Sequence, residues 1–230
     1  MKNKLFVFLT LFTTIGCFAQ ENLKDFYYRI SDKIETKVYK YVDKNDSTKI
    51  EYWKVTTIPN TNEIKTVSYD SEFEIYNTFD ERIKGYGAEL IAYSDFEINE
   101  KGERTEIKAT VIDKDVYKWT EEEEEYTYSV KYVNKYGRFD FKKKRVNVGF
   151  ETIMVNGKSY FTAKFRDDYL IYAIDHDIEH RFYQDAYYAK HIGMVKYKRK
   201  IPIQHEAIEL ELTEILTEAE FNTLLEKASR

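Results

Sequence analysis

The chain has 230 residues, with 36 basic and 41 acidic side chains and a formal net charge of −5. A mildly acidic chain without a basic cluster is a poor nucleic-acid binder, and a lone cysteine, Cys17, excludes an internal disulfide framework. Aromatics make up 17% of the residues, 21 of them tyrosines, against two prolines; this favours pleated, half-buried surfaces over helix or disorder.

Residues 1–20 read as an export signal. Lys2 and Lys4 form a cationic start, and Leu5 to Ile15 is an uncharged, mainly apolar run of 11 residues. That run is too short to span a hydrocarbon core of about 30 Å as a helix. Small residues at Cys17 and Ala19 suit the −3 and −1 positions of a signal-peptidase cut, leaving Gln20 or Glu21 first. The alternative is a lipobox ending at Gly16-Cys17, which would acylate Cys17 and anchor an envelope lipoprotein. Thr14 at the lipobox −3 position and the short polar stretch after Cys17 favour the soluble cut, and either route exports the protein. No other hydrophobic run approaches spanning length. Cleavage removes two lysines and no acid, so the net charge moves from −5 to −7, and the mature chain of about 210 residues has no thiol and is long enough for one sizeable core.

Leu23, Phe26, Ile30 and Ile34 are spaced 3, 4 and 4, which predicts an N-terminal helix over 22–34. The rest of the chain alternates. "EFEIYNTF" (72–79) sets Phe73, Ile75 and Phe79 against Glu72, Glu74 and Thr78, "EIKATV" (106–111) alternates Ile107, Ala109 and Val111 with polar residues, and "YTYSVKYV" (126–133) puts Tyr126, Tyr128, Val130 and Tyr132 on one face. "DKNDS" (43–47), "PNTN" (59–62), "NEKGE" (99–103), "NKYGR" (134–138) and "VNGKS" (155–159) punctuate these runs as turns. "TEAEFNTLLEKAS" (217–229) opens with the capping-box pair Thr217 and Glu220, followed by the apolar stripe Phe221, Leu224 and Leu225, and predicts a C-terminal helix. Short strands joined by short turns imply a single mainly β domain over 21–230: one curved antiparallel sheet or open barrel of about ten to fourteen strands, with terminal helices.

Candidate chemistry is sparse. In "DHDIEH" (175–180), His176 and His180 would share a helix face and could ligate zinc. The flanks read as strands, however, where neighbours two apart lie about 7 Å apart and these histidines about twice that, too far for one metal. A charged hairpin turn is the favoured reading. "EEEEE" (121–125) lacks the glycine bends of a calcium loop and reads as a charged strand start. "KKKR" (142–145) reads as an exposed strand, with contact to anionic envelope surfaces as a second possibility. No G-x-S-x-G elbow, P-loop or G-x-G-x-x-G fingerprint occurs, so no catalytic residue and no cofactor are expected.

"TIMVNGKSYFTAKF" (152–165) is a strand, an Asn-Gly turn and a second strand, leading through "DDYLIYAI" to "YYAKHIGMVKYKRK" (187–200). Gly157, Lys158 and Tyr160, then Tyr188, Ala189, Gly193, Val195 and Lys196, resemble a Gly-Lys-x-Tyr hairpin and the tyrosine–alanine entry to a "GxGxVK"-type strand in TapB-like families of exported bacterial β proteins. "VYKYVDKNDSTKIEYWKV" (38–55) is similar to their opening hairpin. His191 departs from the pattern, standing where the family has a small residue, and "DHDIEH" is longer and more charged. The resemblance implies a strongly curved sheet or open barrel comparable to lipoprotein carriers, with Gly193 at a bulge or bend and Tyr188 packed beside it. It implies no reaction.

The functional expectation is a non-catalytic binder that encloses an apolar or amphipathic, lipid-like ligand on the concave face of the sheet. Tyr126, Tyr128, Tyr132, Tyr187 and Tyr188 are its candidate contacts, although core packing explains any one of them. A structural or assembly role against an envelope protein partner is the alternative.

Overall fold

The computed structural model describes residues 21–99, 101–119, 124–202 and 206–228. The expected signal with Cys17, and Glu121 to Glu123 of the acidic run, lie outside the described residues. Thirteen strands follow in order: β1 (Glu35–Asp43), β2 (Ile50–Ile58), β3 (Glu63–Tyr69), β4 (Ile75–Ile83), β5 (Gly87–Ile98), β6 (Arg104–Lys108), β7 (Thr110–Lys118), β8 (Tyr126–Asn134), β9 (Gly137–Val155), β10 (Lys158–Ala173), β11 (Ile178–Ala189), β12 (Gly193–Ile201) and β13 (Glu206–Thr217). A single helix, α1 (Glu218–Ala228), closes the described chain.

Each strand pairs antiparallel with its neighbours, and β1 pairs with β13, so the sheet curls round on itself. Pairing of β4 with β5, and of β5 with β7, completes a ring of 12 strands, while β6 hangs on the outer half of β5. The expected curved antiparallel sheet is thus a closed barrel, which leaves the ring no free edge to template aggregation.

The turns fall where Asn, Asp and Gly punctuate the sequence. Asn156 and Gly157 both take positive φ (46° and 75°) between the paired Val155 and Lys158, the backbone that a two-residue hairpin requires to match strand twist. The "DHDIEH" segment is the β10–β11 hairpin, with Asp177 left-handed at φ 53°, as the charged-turn reading anticipates.

Three local expectations are corrected. "EIKATV" is not one strand: it breaks at Ala109, whose N–H donates to the Tyr93 carbonyl, and β6 and β7 lie on either side. Phe73 does not share a strand face with Phe79. It turns at φ 63° before β4 and packs outside the barrel, stacked on Tyr52 at 5.0 Å. The N-terminal helix is absent, and only Leu23–Phe26 makes one 3-10 turn, capped by the Asn22 side chain. The apolar stripe is nonetheless used: Leu23, Phe26 and Tyr27 are buried at 0–3% exposure while Ile34 is 64% exposed. Packing against the barrel end supplies what helix propensity alone does not.

This segment closes one end of the barrel. The Asp25 carbonyl accepts from the His191 N–H in the β11–β12 turn at 2.6 Å, and Lys190 pairs with Glu21 at 2.9 Å. Gly193 has φ 96°, and a Cβ there would lie 2.3 Å from Cε1 of Tyr28, so the residue packed on this glycine is Tyr28 of the N-terminal segment. His191 itself is left-handed at φ 64°, the conformation for which a small residue is favoured.

The helix α1 begins as the capping box predicts: the Thr217 N–H donates to Glu220 Oε2 at 2.8 Å and the Glu220 N–H to Thr217 Oγ1 at 3.3 Å. It folds back along the outer wall, where Phe221 is fully buried with Val38, Tyr52 and Leu216. Elsewhere the outer wall is charged, with ion pairs such as Lys144–Glu125 (2.8 Å) and Arg166–Asp185 (3.2 Å). A membrane-spanning barrel would present an apolar band there, and among the described residues no helix is long and apolar enough to cross a membrane.

Candidate ligand-binding site

Alternation around the ring turns half of every strand inward, and the inward set is mixed rather than apolar. Over β9 it is Phe139, Phe141, Lys143, Arg145 and Asn147, with Lys142 and Lys144 facing out. The expectation that "KKKR" is simply exposed is therefore wrong for half of it: Lys143 is 7% and Arg145 3% exposed. Period-two counting puts both on the face of Phe141, but does not say that this face is enclosed.

These two cations meet Asp167, which points inward from the adjacent β10 and is 0% exposed. Arg145 grips it with both arms of its fork, Nε to Oδ1 at 2.6 Å and Nη2 to Oδ2 at 2.8 Å, and Lys143 Nζ lies 2.9 Å from Oδ2. Burial would lift the Asp167 carboxyl, but Arg145 and Lys143 outweigh it and hold the pKa below the usual range. Burial, followed by the Arg145 charge, pulls Lys143 down to about 8. Arg145 Nη1 also donates to the Val116 carbonyl at 3.5 Å and the Tyr188 hydroxyl at 3.3 Å. Aromatic faces add to this: Arg145 lies 5.3 to 6.0 Å from the ring centres of Phe165, Tyr188 and Tyr117, and Lys143 5.1 Å from that of Tyr169.

Two further carboxylates face inward. Glu81 on β4 accepts a short hydrogen bond from the Tyr27 hydroxyl, and burial lifts its pKa to about 7. Glu51 on β2 accepts from three neutral donors: Trp53 Nε1 at 3.0 Å, the Tyr76 hydroxyl at 2.9 Å and the Tyr197 hydroxyl at 2.8 Å. Arg199 on β12 donates from Nε to Gln184 Oε1 at 3.1 Å and lies over Phe182 and Tyr197.

These groups surround a cavity of about 240 Å³, partly open to solvent. A single water needs about 10–15 Å³ on the same measure, so the interior is far from filled by its own side chains. One wall is aromatic, from Phe79, Tyr93, Tyr128 and Phe141, which pack on one another with ring centres 5.3 to 6.3 Å apart. Tyr27 and Tyr28 of the N-terminal segment floor it.

Of the five candidate tyrosines, Tyr128 and Tyr188 line this cavity. Tyr126 is buried on the same face of β8 but does not line it, and Tyr132 is half-buried and stacked on Phe139 at 5.3 Å. Tyr187 does not line the cavity and lies half-buried under Lys164 Nζ, 5.3 Å from its ring centre. The histidines do not converge. His176 reaches the Tyr136 carbonyl at 3.2 Å, His180 is exposed on β11 opposite Ile171, and no metal-binding cluster occurs among the described residues. Asp175, just before His176, is held by Arg138 at 2.6 Å.

No protein-family profile matches the chain, and no curated protein matches its sequence. Solved structures match its fold. A candidate exported protein with a YmcC-like fold from Bacteroides fragilis is 11% identical at a TM-score of 0.50, covering 84% of this chain and 100% of its own. A candidate lipoprotein from Parabacteroides distasonis is 15% identical at a TM-score of 0.49, with coverage of 83% and 98%. The hypothetical lipoprotein YmcC of Escherichia coli is 6% identical at 0.35, with coverage of 78% and 84%. The Bacteroides fragilis likeness is one of fold, not chemistry. The resemblance to TapB-like proteins rests on its short motifs alone.

Proposed function

We propose that the chain is an exported cell-envelope protein that encloses a small amphipathic ligand in its barrel without chemically changing it. The observation that carries this reading is the cavity of about 240 Å³, whose lining joins an aromatic wall to fixed charges, with Tyr128 paired directly to Lys143. An unliganded core of this size would ordinarily close with apolar side chains, because space without partner atoms forfeits contacts. Here Asp167, Lys143 and Arg145 are retained inside at a desolvation cost that a purely structural barrel avoids by using apolar residues.

Export is supported by the cationic, apolar and small-residue order of residues 1–20, with cleavage before Gln20 or Glu21, and the proteins of similar fold are themselves described as exported or as lipoproteins. The Gly157-Lys158-x-Tyr160 and Tyr188–Lys196 motifs support, in our reading, a kinship with the TapB-like proteins.

Native mass spectrometry of protein taken from its own host's envelope tests the function. A retained mass of lipid size or below supports the reading. A stoichiometric protein partner with an empty barrel would overturn it in favour of an assembly role. Intact mass of the same sample tests the processing, because a diacyl or triacyl adduct on a chain starting at Cys17 would replace the soluble cut by a lipid anchor.

A further inference from the structure

We propose that Arg199 is the anion anchor of the barrel cavity, so that the ligand is an amphiphile bearing an oxyanion head beside an apolar or aromatic body. This rests on the binding reading above and adds the charge class and the residue that recognises it.

Among the described residues, three carboxylates and three cations stand at the cavity. Asp167 is saturated by Arg145 and Lys143. Glu51 is hydrogen-bonded by neutral donors, the Trp53 indole and the hydroxyls of Tyr76 and Tyr197, and its charge acts on Arg199 through space. Glu81 is bound by the Tyr27 hydroxyl at the floor. Arg199 is the lumen cation that no carboxylate touches. Among the described residues no carboxylate comes within ion-pair distance of it, and its one hydrogen bond goes from Nε to the neutral carboxamide of Gln184. Its two terminal nitrogens make no hydrogen bond to the described residues and are not sealed from solvent, so their donors are open to a ligand.

The group is also held in place. Its guanidinium carbon lies 5.3 Å from the Phe182 ring centre and 5.2 Å from that of Tyr197, and Gln184 fixes the third side. A planar fork restrained in this way loses little freedom on gripping a planar or tetrahedral oxyanion with two parallel hydrogen bonds. Position agrees with this role. β12 starts at Gly193 beside the N-terminal segment, and Arg199 stands near the strand's other end, so it lines the cavity away from the Tyr27–Tyr28 floor. An oxyanion head at Arg199 leaves the ligand body to lie against Phe79, Tyr93, Tyr128 and Phe141.

The test uses two fluorescent probes with the same ring system: 8-anilinonaphthalene-1-sulfonate, which is anionic, and N-phenyl-1-naphthylamine, which is neutral. Purified protein should bind both, the sulfonate about 10-fold tighter or more, as a charge-assisted pair in a half-buried site implies. Arg199→Met should erase that preference while leaving the neutral probe within about 2-fold, and Arg199→Lys should keep part of it. A melting curve on each variant checks that it is folded. Should Arg199→Met fail to fold, Arg199→Gln serves with the same readout. Ser68→Phe, which fills the cavity, should weaken both probes. If the neutral probe binds and is blocked by Ser68→Phe, but the sulfonate is no tighter or its preference survives loss of Arg199, the anion anchor is refuted and lumen binding stands. If neither probe binds, or Ser68→Phe changes nothing, lumen binding falls and the anchor with it.

Discussion

Replacing Asp167 by Asn removes the single negative charge that two buried cations share. Asp167 is 0% exposed, and Arg145 and Lys143 are 3% and 7% exposed, so water cannot take over its role. Removing one member of a buried ion pair costs about 3–5 kcal/mol, because the other charge is left desolvated. The two cations do not respond alike. Lys143, already drawn down to about 8, sheds its proton when the carboxylate goes, whereas Arg145 keeps its charge at any accessible pH. The cost therefore falls mainly on Arg145, and the variant should lose about 3–5 kcal/mol at pH 7. For a domain of this size that is a drop in melting temperature of about 6–20 °C. Urea unfolding followed by circular dichroism measures it, with the m-value unchanged if the barrel stays intact. Adding Arg145→Met to Asp167→Asn should recover much of the loss, since an apolar replacement of the pair avoids the desolvation. A single variant within about 1 kcal/mol of wild type would show that water solvates the triad in solution and would refute its desolvated placement.

Glu81 predicts a pH dependence of opposite cause. Burial lifts it from 4.5 to about 7, so below 4.5 both folded and unfolded chains hold the proton, and between 4.5 and 7 the folded chain alone keeps it. Stability should fall across that window by up to about 3 kcal/mol. Glu81→Gln should remove this component, and equal slopes in the two proteins from pH 4.5 to 7 would contradict it. Gly193→Ala should cost at least about 2 kcal/mol in urea, since the left-handed backbone and the Tyr28 ring at 2.3 Å both oppose a Cβ. Cost below about 0.5 kcal/mol would mean that the N-terminal segment does not close the barrel there. Phe221→Ala should cost about 3–5 kcal/mol by opening a cavity among Tyr52, Tyr69 and Phe73, and should leave neutral-probe binding in the lumen unchanged. A matching loss of probe affinity would show that helix and lumen are coupled.

What the sequence alone determined is local. Strand after strand is written in period-two alternation, the turns in Asn, Asp and Gly, and the C-terminal helix in its capping box, because each depends on residues within a few positions of one another. Even the inward direction of Tyr128 follows from its own strand. Alternation of this kind cannot distinguish an apolar inner face from a charged one, which is why Lys143 and Arg145 read as solvent-facing: their carboxylate, Asp167, is 22 residues away and meets them only across the β9–β10 pairing. The N-terminal stripe had helical spacing, yet it folds as one 3-10 turn because the barrel end offers it more buried contact than a lone helix could. Closure itself was equally hidden. β1 and β13 join residues about 180 positions apart, as in Lys37 opposite Thr217, and only that pairing turns a curved sheet into a wall around a cavity. Long-range contacts of this sort carry no short-range signature, so the tertiary structure alone decided that Arg199, Glu51 and Glu81, from three separate strands, face one enclosed space.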